Sequence, residues 1–379
     1  MTSGNSATLT SPKRSVAHHK VARLFMVCAV ALFVLAACAE REPRPTESAD
    51  APAVSVETEK VTVTLLAHDS FLPTEGIFDE FTAETGITVR IVRGGDAGAL
   101  VTKAVVSAGN PEGDVLWGVD NTLLSRALQA GVFTPYVTVH RDDIDASAVA
   151  LSPDGSVTPV DSGDVCINYD KKWFADRRIT PPLTLQALSS SNYRNLLVVS
   201  SPLTSSPGLA FMLATIAEFG DSWSQWWSTM RDNGILVVDS WSDAYYGHFT
   251  AASDGERPIV VSYATSPPAE VIFADPRPNE APTAVAALTC FRQFEFAGIL
   301  RGTKKETAAR KLVDFLVSQR FQEDLPLTQF VWPVNLRASL PQEFLDYSLR
   351  PENPLSLDPA TIAARREEWL DQFTDVVLR

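Results

Sequence analysis

The sequence predicts an α/β protein built on a largely parallel sheet, with its ligand beyond the carboxyl ends of the strands. Three observations carry that expectation. Apolar runs at Val61–Ala67, Ile87–Val92 and Asp114–Trp117 alternate with helix-period segments. Each run feeds a polar turn: His68-Asp69-Ser70-Phe71, Gly94-Gly95-Asp96-Ala97-Gly98 and Gly118-Val119-Asp120-Asn121. Two later runs, Ile235–Val238 and Ile259–Val261, end in aromatic and small polar residues. These are Trp241, Tyr245 and Tyr246 after the first, and Tyr263, Thr265 and Ser266 after the second. Aromatics mixed with Ser, Asp and Gly at strand ends suit a binding surface better than a core.

The N-terminus reads as targeting rather than fold. Lys13, Arg14, Lys20 and Arg23 precede an apolar run from Leu24 to Ala37. That run has 14 residues, short of the roughly 20 that a membrane span needs. It closes on Leu35-Ala36-Ala37-Cys38, which resembles a bacterial lipoprotein signal over residues 1–37 with Cys38 as the lipidated residue. Residues 38–57 are dominated by Pro, charge and small side chains, a composition that cannot bury enough surface to fold, so they predict a disordered tether.

The chain has 379 residues, 32 basic and 46 acidic, for a net charge of −14. Without the first 37 residues, 28 basic groups face 46 acidic ones. Such a body is a poor partner for nucleic acid or anionic lipid and suits a cation. Of four cysteines, Cys28 lies in the leader and Cys38 is the expected lipid site. Cys166 and Cys290 remain, both in strand-like runs. In an exported protein they are candidates for a disulfide, and two separate buried thiols fit the sequence as well.

Taken in order, Glu75–Thr85 reads as a helix stopped at Gly86, and a second runs from about Ala99 to Ala108. Ser125–Ala130 is helical and closes on Gly131. Val157–Val160 and Asp164–Tyr169 mark a crossing into a second lobe. Leu196–Ser200 is a buried strand; Ser206 then fits an N-cap, with Pro207 opening a helix to Phe219. Trp223, Trp226 and Trp227 fall on one helix face and read as core. Val285–Phe296 is a strand, Lys305–Leu325 one long amphipathic helix, and Pro359–Leu378 a C-terminal helix.

The strand-end turns bring Asp69, Asp96 and Asp120 towards one edge. Two helix starts, after Gly94–Gly98 and at Ser205–Pro207, offer free N–H groups to an anion. No Lys followed by Ser or Thr stands at P-loop spacing, so nucleotide hydrolysis is unsupported. The body holds only His68, His140 and His248 as histidines, and no G-x-S-x-G, H-E-x-x-H or C-x-x-C. An enzyme is therefore not expected, with a surface-anchored hydrolase using Ser70 kept as an alternative. The adjacent Tyr245 and Tyr246 keep open a ferric-ion receptor, since phenolates are hard ligands for Fe(III).

Seven motifs in order span nearly all of the chain after the leader. They are H-D-S-F at His68–Phe71, G-D-A-G-A-L-V at Gly95–Val101, D-V-L-W-G-V-D-N-T-L-L at Asp114–Leu124, S-S-P-G-L-A at Ser205–Ala210, W-S-D-A-Y at Trp241–Tyr245, S-Y-A-T-S-P at Ser262–Pro267 and F-V-W-P-V at Phe330–Val334. Together they resemble the thiamine-binding proteins of bacterial ABC importers, relatives of the ferric-binding proteins. The resemblance implies a two-lobed type II periplasmic-binding-protein fold, with mixed sheets flanked by helices and a ligand cleft between the lobes. On it, residues 58–157 begin lobe 1, 158–283 form lobe 2, 284–318 return into lobe 1, and 319–379 supply C-terminal helices that close lobe 2. The implied ligand is thiamine or a thiamine phosphate. The implied partner is an ABC transporter permease at the extracytoplasmic face of the cell membrane. A monomer touching the membrane by its lipid alone is expected, with no cofactor, metal or nucleic acid.

Carried over by motif, the ligand contacts are Asp69, Ser206, Trp241, Tyr263, Ser266, Phe330 and Trp332. The strand-end reading adds His68, Ser70, Asp96, Asp120, Ser205 and Tyr245. The chain departs from the best-known enterobacterial members in having His68 for a Tyr, Glu75 for a Trp, Ala269 for a Tyr and Phe330 for a Trp. The aromatic cage is thinner as a result. A cation over an aromatic face gains roughly 0.5–2 kcal/mol, and a nearby carboxylate neutralises it.

Overall fold

The computed structural model describes residues 61–379. The expected leader (1–37), Cys38 and the tether lie outside the described residues. Among the described residues, no helix is long and apolar enough to cross a membrane.

Ten strands build the described sheet: β1 (Val61–Ala67), β2 (Ile87–Arg93), β3 (Val115–Asp120), β4 (Phe133–Thr134), β5 (Thr158–Asp170), β6 (Leu197–Ser200), β7 (Leu236–Val238), β8 (Ile259–Tyr263), β9 (Thr283–Leu300) and β10 (Trp332–Pro333). Their order is β2-β1-β3-β9-β5-β8-β6-β7, with β10 on β5 and β4 on β9. At one end β1 pairs parallel with β2 and β3. At the other, β6 pairs parallel with β7 and β8. Between them β5 and β9 run antiparallel to each other and to their outer neighbours. The sheet is therefore mixed. Parallel pairs appear where helices connect successive strands, and the long central strands break that pattern.

The burial explains the order. Val63–Ala67 of β1 and all of β3 are buried, as fits strands covered on both faces. The helix Ser206–Phe219 is buried from Ser206 to Ile216 and packs on β9. Trp223, Trp226 and Trp227 are core: the Trp226 indole donates to the Leu185 carbonyl at 3.0 Å and the Trp227 indole to Thr215 Oγ1 at 2.9 Å. Cys166 and Cys290 are joined in a disulfide, with Cα atoms 4.2 Å apart, tying β5 to β9.

Several boundaries differ from the expectation. The first helix begins at Asp79, because Gly76 takes φ +80° and 75–78 form turns. The runs at Val157–Val160 and Asp164–Tyr169 are one strand with register shifts between Pro159 and Asp161 and between Val165 and Ile167. Lys305–Leu325 is not one helix. Glu306–Leu316 ends before Ser318, whose hydroxyl takes the Phe321 N–H and opens a new turn at Gln319. Pro326, which has no N–H, then opens a further short helix at Leu325–Thr328. The helix expected to start from Ser206 as N-cap has Ser205 in that position instead, and the Ser205 side chain makes no capping hydrogen bond.

Candidate ligand-binding site

His68, Asp69 and Ser70 follow directly on β1, where the chain leaves the sheet. Gly118 at φ +109° makes room for the imidazole, since a Cβ there would lie 2.7 Å from His68 Cδ2. Asp96 caps the helix Ala97–Val106, accepting the Ala97 N–H at 2.6 Å. Its other oxygen accepts the Trp241 backbone N–H at 2.9 Å, 145 residues away in sequence. Ser70 and Ser242 hydroxyls meet at 3.3 Å. These contacts bring the turn after β1, the start of the helix at Ala97 and the segment after β7 around one cavity of ≈ 610 Å³.

The aromatic wall comes from 241–263. Residues Asp243–His248 wind into a single wide helical turn. Trp241 stacks on Tyr245 with centroids 5.1 Å apart at 24°, and meets the rings of Tyr246 at 5.5 Å and Tyr263 at 6.3 Å more steeply. The Trp241 indole is anchored by Ser262 Oγ at 3.0 Å, itself 2.7 Å from Ser266 Oγ. Tyr263 lies on Gly163 of β5, where any Cβ would sit 2.9 Å from the ring. Phe330 adds an aromatic edge from the far side. It holds φ +53°, a region costing a bulky residue about 1–2 kcal/mol, and its carbonyl accepts the Thr265 hydroxyl.

The floor is acidic. Asp161 of β5 and Glu295 of β9 stand directly opposite across the sheet. Burial, the Glu295 charge and a hydrogen bond to Glu295 push the Asp161 carboxyl well above its ordinary range. Burial also disfavours the Glu295 charge, but His68, at 3.5 Å, Asp161 and the Trp117 indole, at 3.0 Å, outweigh it and bring Glu295 below its ordinary range. His68 follows the same logic: burial lowers it, the Glu295 charge and hydrogen bond raise it, and the net shift is upward. Burial lifts Asp96 against the lowering pull of the Trp241 N–H and His68. The floor thus favours charge on His68 and Glu295, which face each other at 3.5 Å, and disfavours it on Asp161 beside them.

Of the residues picked from sequence, His68, Asp69, Ser70, Asp96, Ser206, Trp241, Tyr245, Tyr263, Ser266 and Phe330 line this cavity. Asp120, Ser205 and Trp332 do not. Asp120 is fully buried behind it and turns back on its own chain, accepting from Thr122 N at 3.0 Å, Thr122 Oγ1 at 2.7 Å and Leu123 N at 3.1 Å, and from Gln293. Ser205 is buried beneath the helix start. Trp332 pairs with β5 and packs edge-on against Phe344 at 4.8 Å. Sequence reasoning passed over Asp161, Gln293 and Glu295, which also line the cavity. The available signal was a carboxylate inside an apolar strand, a place where only a paired acid is tolerated.

The two alternative chemistries find little here. His68 Nε2 faces Glu295, and Ser70 meets Ser242, so Ser70 is not paired with a histidine that would activate it. The Tyr245 phenol donates to Glu270 at 2.9 Å and is pushed well up by burial and the Glu270 charge, which works against a phenolate.

Residues 76–352 match the family described as bacterial extracellular solute-binding protein. The chain belongs to that family. It is one of solute receptors and not of enzymes. Among curated relatives, the thiamine-binding periplasmic protein of Escherichia coli (strain K12) is 29% identical over 328 residues, covering 84% of this chain and 94% of the relative. A solved periplasmic thiamin binding protein superposes with a TM-score of 0.74 at 27% identity, covering 84% of this chain and 96% of its own. The ferric binding protein from Campylobacter jejuni, at 16% identity, shares the fold with a TM-score of 0.66 over 83% of this chain and 99% of its own. The solute-binding protein thus has the mixed α/β fold of the type II periplasmic binding proteins.

Proposed function

We propose that this solute-binding protein is an extracytoplasmic receptor that binds thiamine and delivers it to the permease of an ABC importer. The observation that carries the reading is the cavity itself: a stacked Trp241 wall standing over buried carboxylates. A flat ring and a permanent positive charge are what such a pair of surfaces recognises. The thiamine-binding relatives support the same ligand. Residues 58–157 with 284–318 would form one lobe, and 158–283 with 319–379 the other, closing on the ligand. Cys38 would carry the lipid that holds the monomeric receptor at the membrane.

Mass spectrometry of ligand released from natively purified protein tests the reading. Thiamine or a phosphate of it is expected, whereas a sugar or peptide overturns it. Cys38→Ala is expected to release the protein from membranes or to leave the precursor unprocessed. A mutant that stays membrane-bound at mature size removes the anchor from the proposal.

A further inference from the structure

We propose that His68 is a specificity-determining residue: the cavity admits an organic cation in exchange for the imidazole proton, because both positive charges draw on the same Glu295 carboxylate. The inference rests on the thiamine reading and deepens it, since it names the group that senses the ligand's charge. His68 stands at the carboxyl end of β1 and lines the cavity, with its side chain 15% exposed. The ring occupies the space that Gly118 leaves free on β3, and its Nε2 faces Glu295 of β9 at 3.5 Å. No Lys or Arg lines the cavity, so among the described residues His68 is its one basic side chain.

The groups around the imidazole come from every neighbouring element. Glu295 of β9, Asp96 at the helix start and Asp69 of the same turn each favour its charge. Asp161 of β5 is hydrogen-bonded to Glu295, and the Asp120 carboxyl of β3 feels the same Glu295 charge. Tyr263 of β8 is a phenol pushed well up by burial and by Glu295, so it adds no charge at neutral pH. Without ligand, the carboxylates hold the imidazole's affinity for a proton above its ordinary level, against the opposing pull of burial. A second cation in the cavity reverses that balance. It repels the imidazolium, competes for the carboxylates and displaces the water that screens them. The proton affinity of His68 therefore falls on binding, and by linkage a proton leaves as the ligand enters. Protonated His68 weakens cation binding. Affinity rises with pH through the His68 value of the free receptor and levels off above it. An uncharged ring of the same shape displaces no proton by this route, so the exchange selects charge where the aromatic wall selects shape.

An NMR titration of the imidazole resonances of the purified protein, free and saturated with thiamine, tests this directly. The His68 signal is the one lost in His68→Gln or His68→Asn. Its titration midpoint is expected to drop by at least about one pH unit when thiamine binds. A midpoint that is unchanged or raised overturns the inference and leaves the proposed function standing. Calorimetry with thiamine near neutral pH, in two buffers of different ionisation enthalpy, counts the protons released. Release is expected in wild type and should fall by at least about half in His68→Gln. Undiminished release in the variant, or proton uptake in wild type, assigns the titration to a carboxylate and overturns the inference. Both readouts count protons per bound ligand, so a partly unfolded sample does not mimic them. Failure of thiamine to bind the wild-type protein overturns the proposed function and this inference with it.

Discussion

The aromatic wall of the cavity comes from one stretch of chain, Trp241 to Tyr263, whereas its acidic floor draws on four separate places: the turn after β1, the helix start at Ala97, and the middles of β5 and β9. The wall hangs from a turn and a strand end. The Asp161 and Glu295 part of the floor lies in the sheet, where the Cys166–Cys290 disulfide joins β5 to β9 and the Trp117 indole donates to Glu295. The difference separates two jobs. The floor fixes charge in a rigid frame, and the wall supplies the surface on which a ring can stack. Substitutions in the floor should therefore register first in stability, and substitutions in the wall first in binding.

The largest effect expected is on the frame. The disulfide links residues 124 apart in sequence. Loss of a native bridge typically lowers stability by about 2–5 kcal/mol. Cys166→Ala with Cys290→Ala should lower the unfolding free energy from denaturant titration by that amount, while a loss under about 0.5 kcal/mol would mean that the sheet holds without the bridge.

Next comes Asp120, behind the floor. Burial outweighs the hydrogen bonds it accepts and, with the Glu295 charge, pushes its carboxyl up to about 6. Its folded value lies above the unfolded one, so the folded state binds the extra proton between the two. The stability it contributes is present below about pH 4 and is lost as pH rises through about 6, by at most roughly 3 kcal/mol. Asp120→Asn removes that titration. Wild type should lose stability relative to the variant between pH 4 and 7 in matched unfolding curves. Parallel curves would show that Asp120 is ionised throughout.

The same contrast explains what the sequence revealed. The wall was legible because its residues are neighbours, and Trp241, Tyr245 and Tyr263 stand where strand-end reasoning placed them. The alternation of strand and helix was legible too, from β1 to β3. Asp161 and Glu295 were hidden because their meeting depends on the register of two strands more than a hundred residues apart. Asp120 was misplaced for the opposite reason. Its strand end does point towards the site, but two residues on, Thr122 offers donors that fold the carboxylate back. Ser205 and Ser206 differ by one residue at a helix start, a distinction that periodicity does not resolve.

On the wall, Trp241→Ala should weaken thiamine binding about thirtyfold, or roughly 2 kcal/mol, the scale of truncating a buried ring at a hot spot. The substitution removes the stacking surface and leaves Tyr245 uncovered. The folded baseline by circular dichroism should be unchanged. Affinity within threefold of wild type would mean that the ligand lies against Phe330 and Tyr263 instead.

The smallest effect belongs to Tyr246, and it is the sharpest test of what kind of wall this is. Its ring meets Trp241 edge-on at 5.5 Å, and the residue is 57% exposed. Tyr246→Phe keeps the edge and deletes only the phenol oxygen. Burial and the Glu270 charge raise that phenol above its ordinary range, so it stays protonated at neutral pH and carries no charge to the ligand. Thiamine affinity in Tyr246→Phe should therefore lie within twofold of wild type by calorimetry. A receptor that held its ligand through a phenolate would behave otherwise, losing binding by orders of magnitude together with any charge-transfer colour. Loss on that scale would transfer the chemistry from the ring faces to the oxygens, and the wall would no longer be a stacking surface at all.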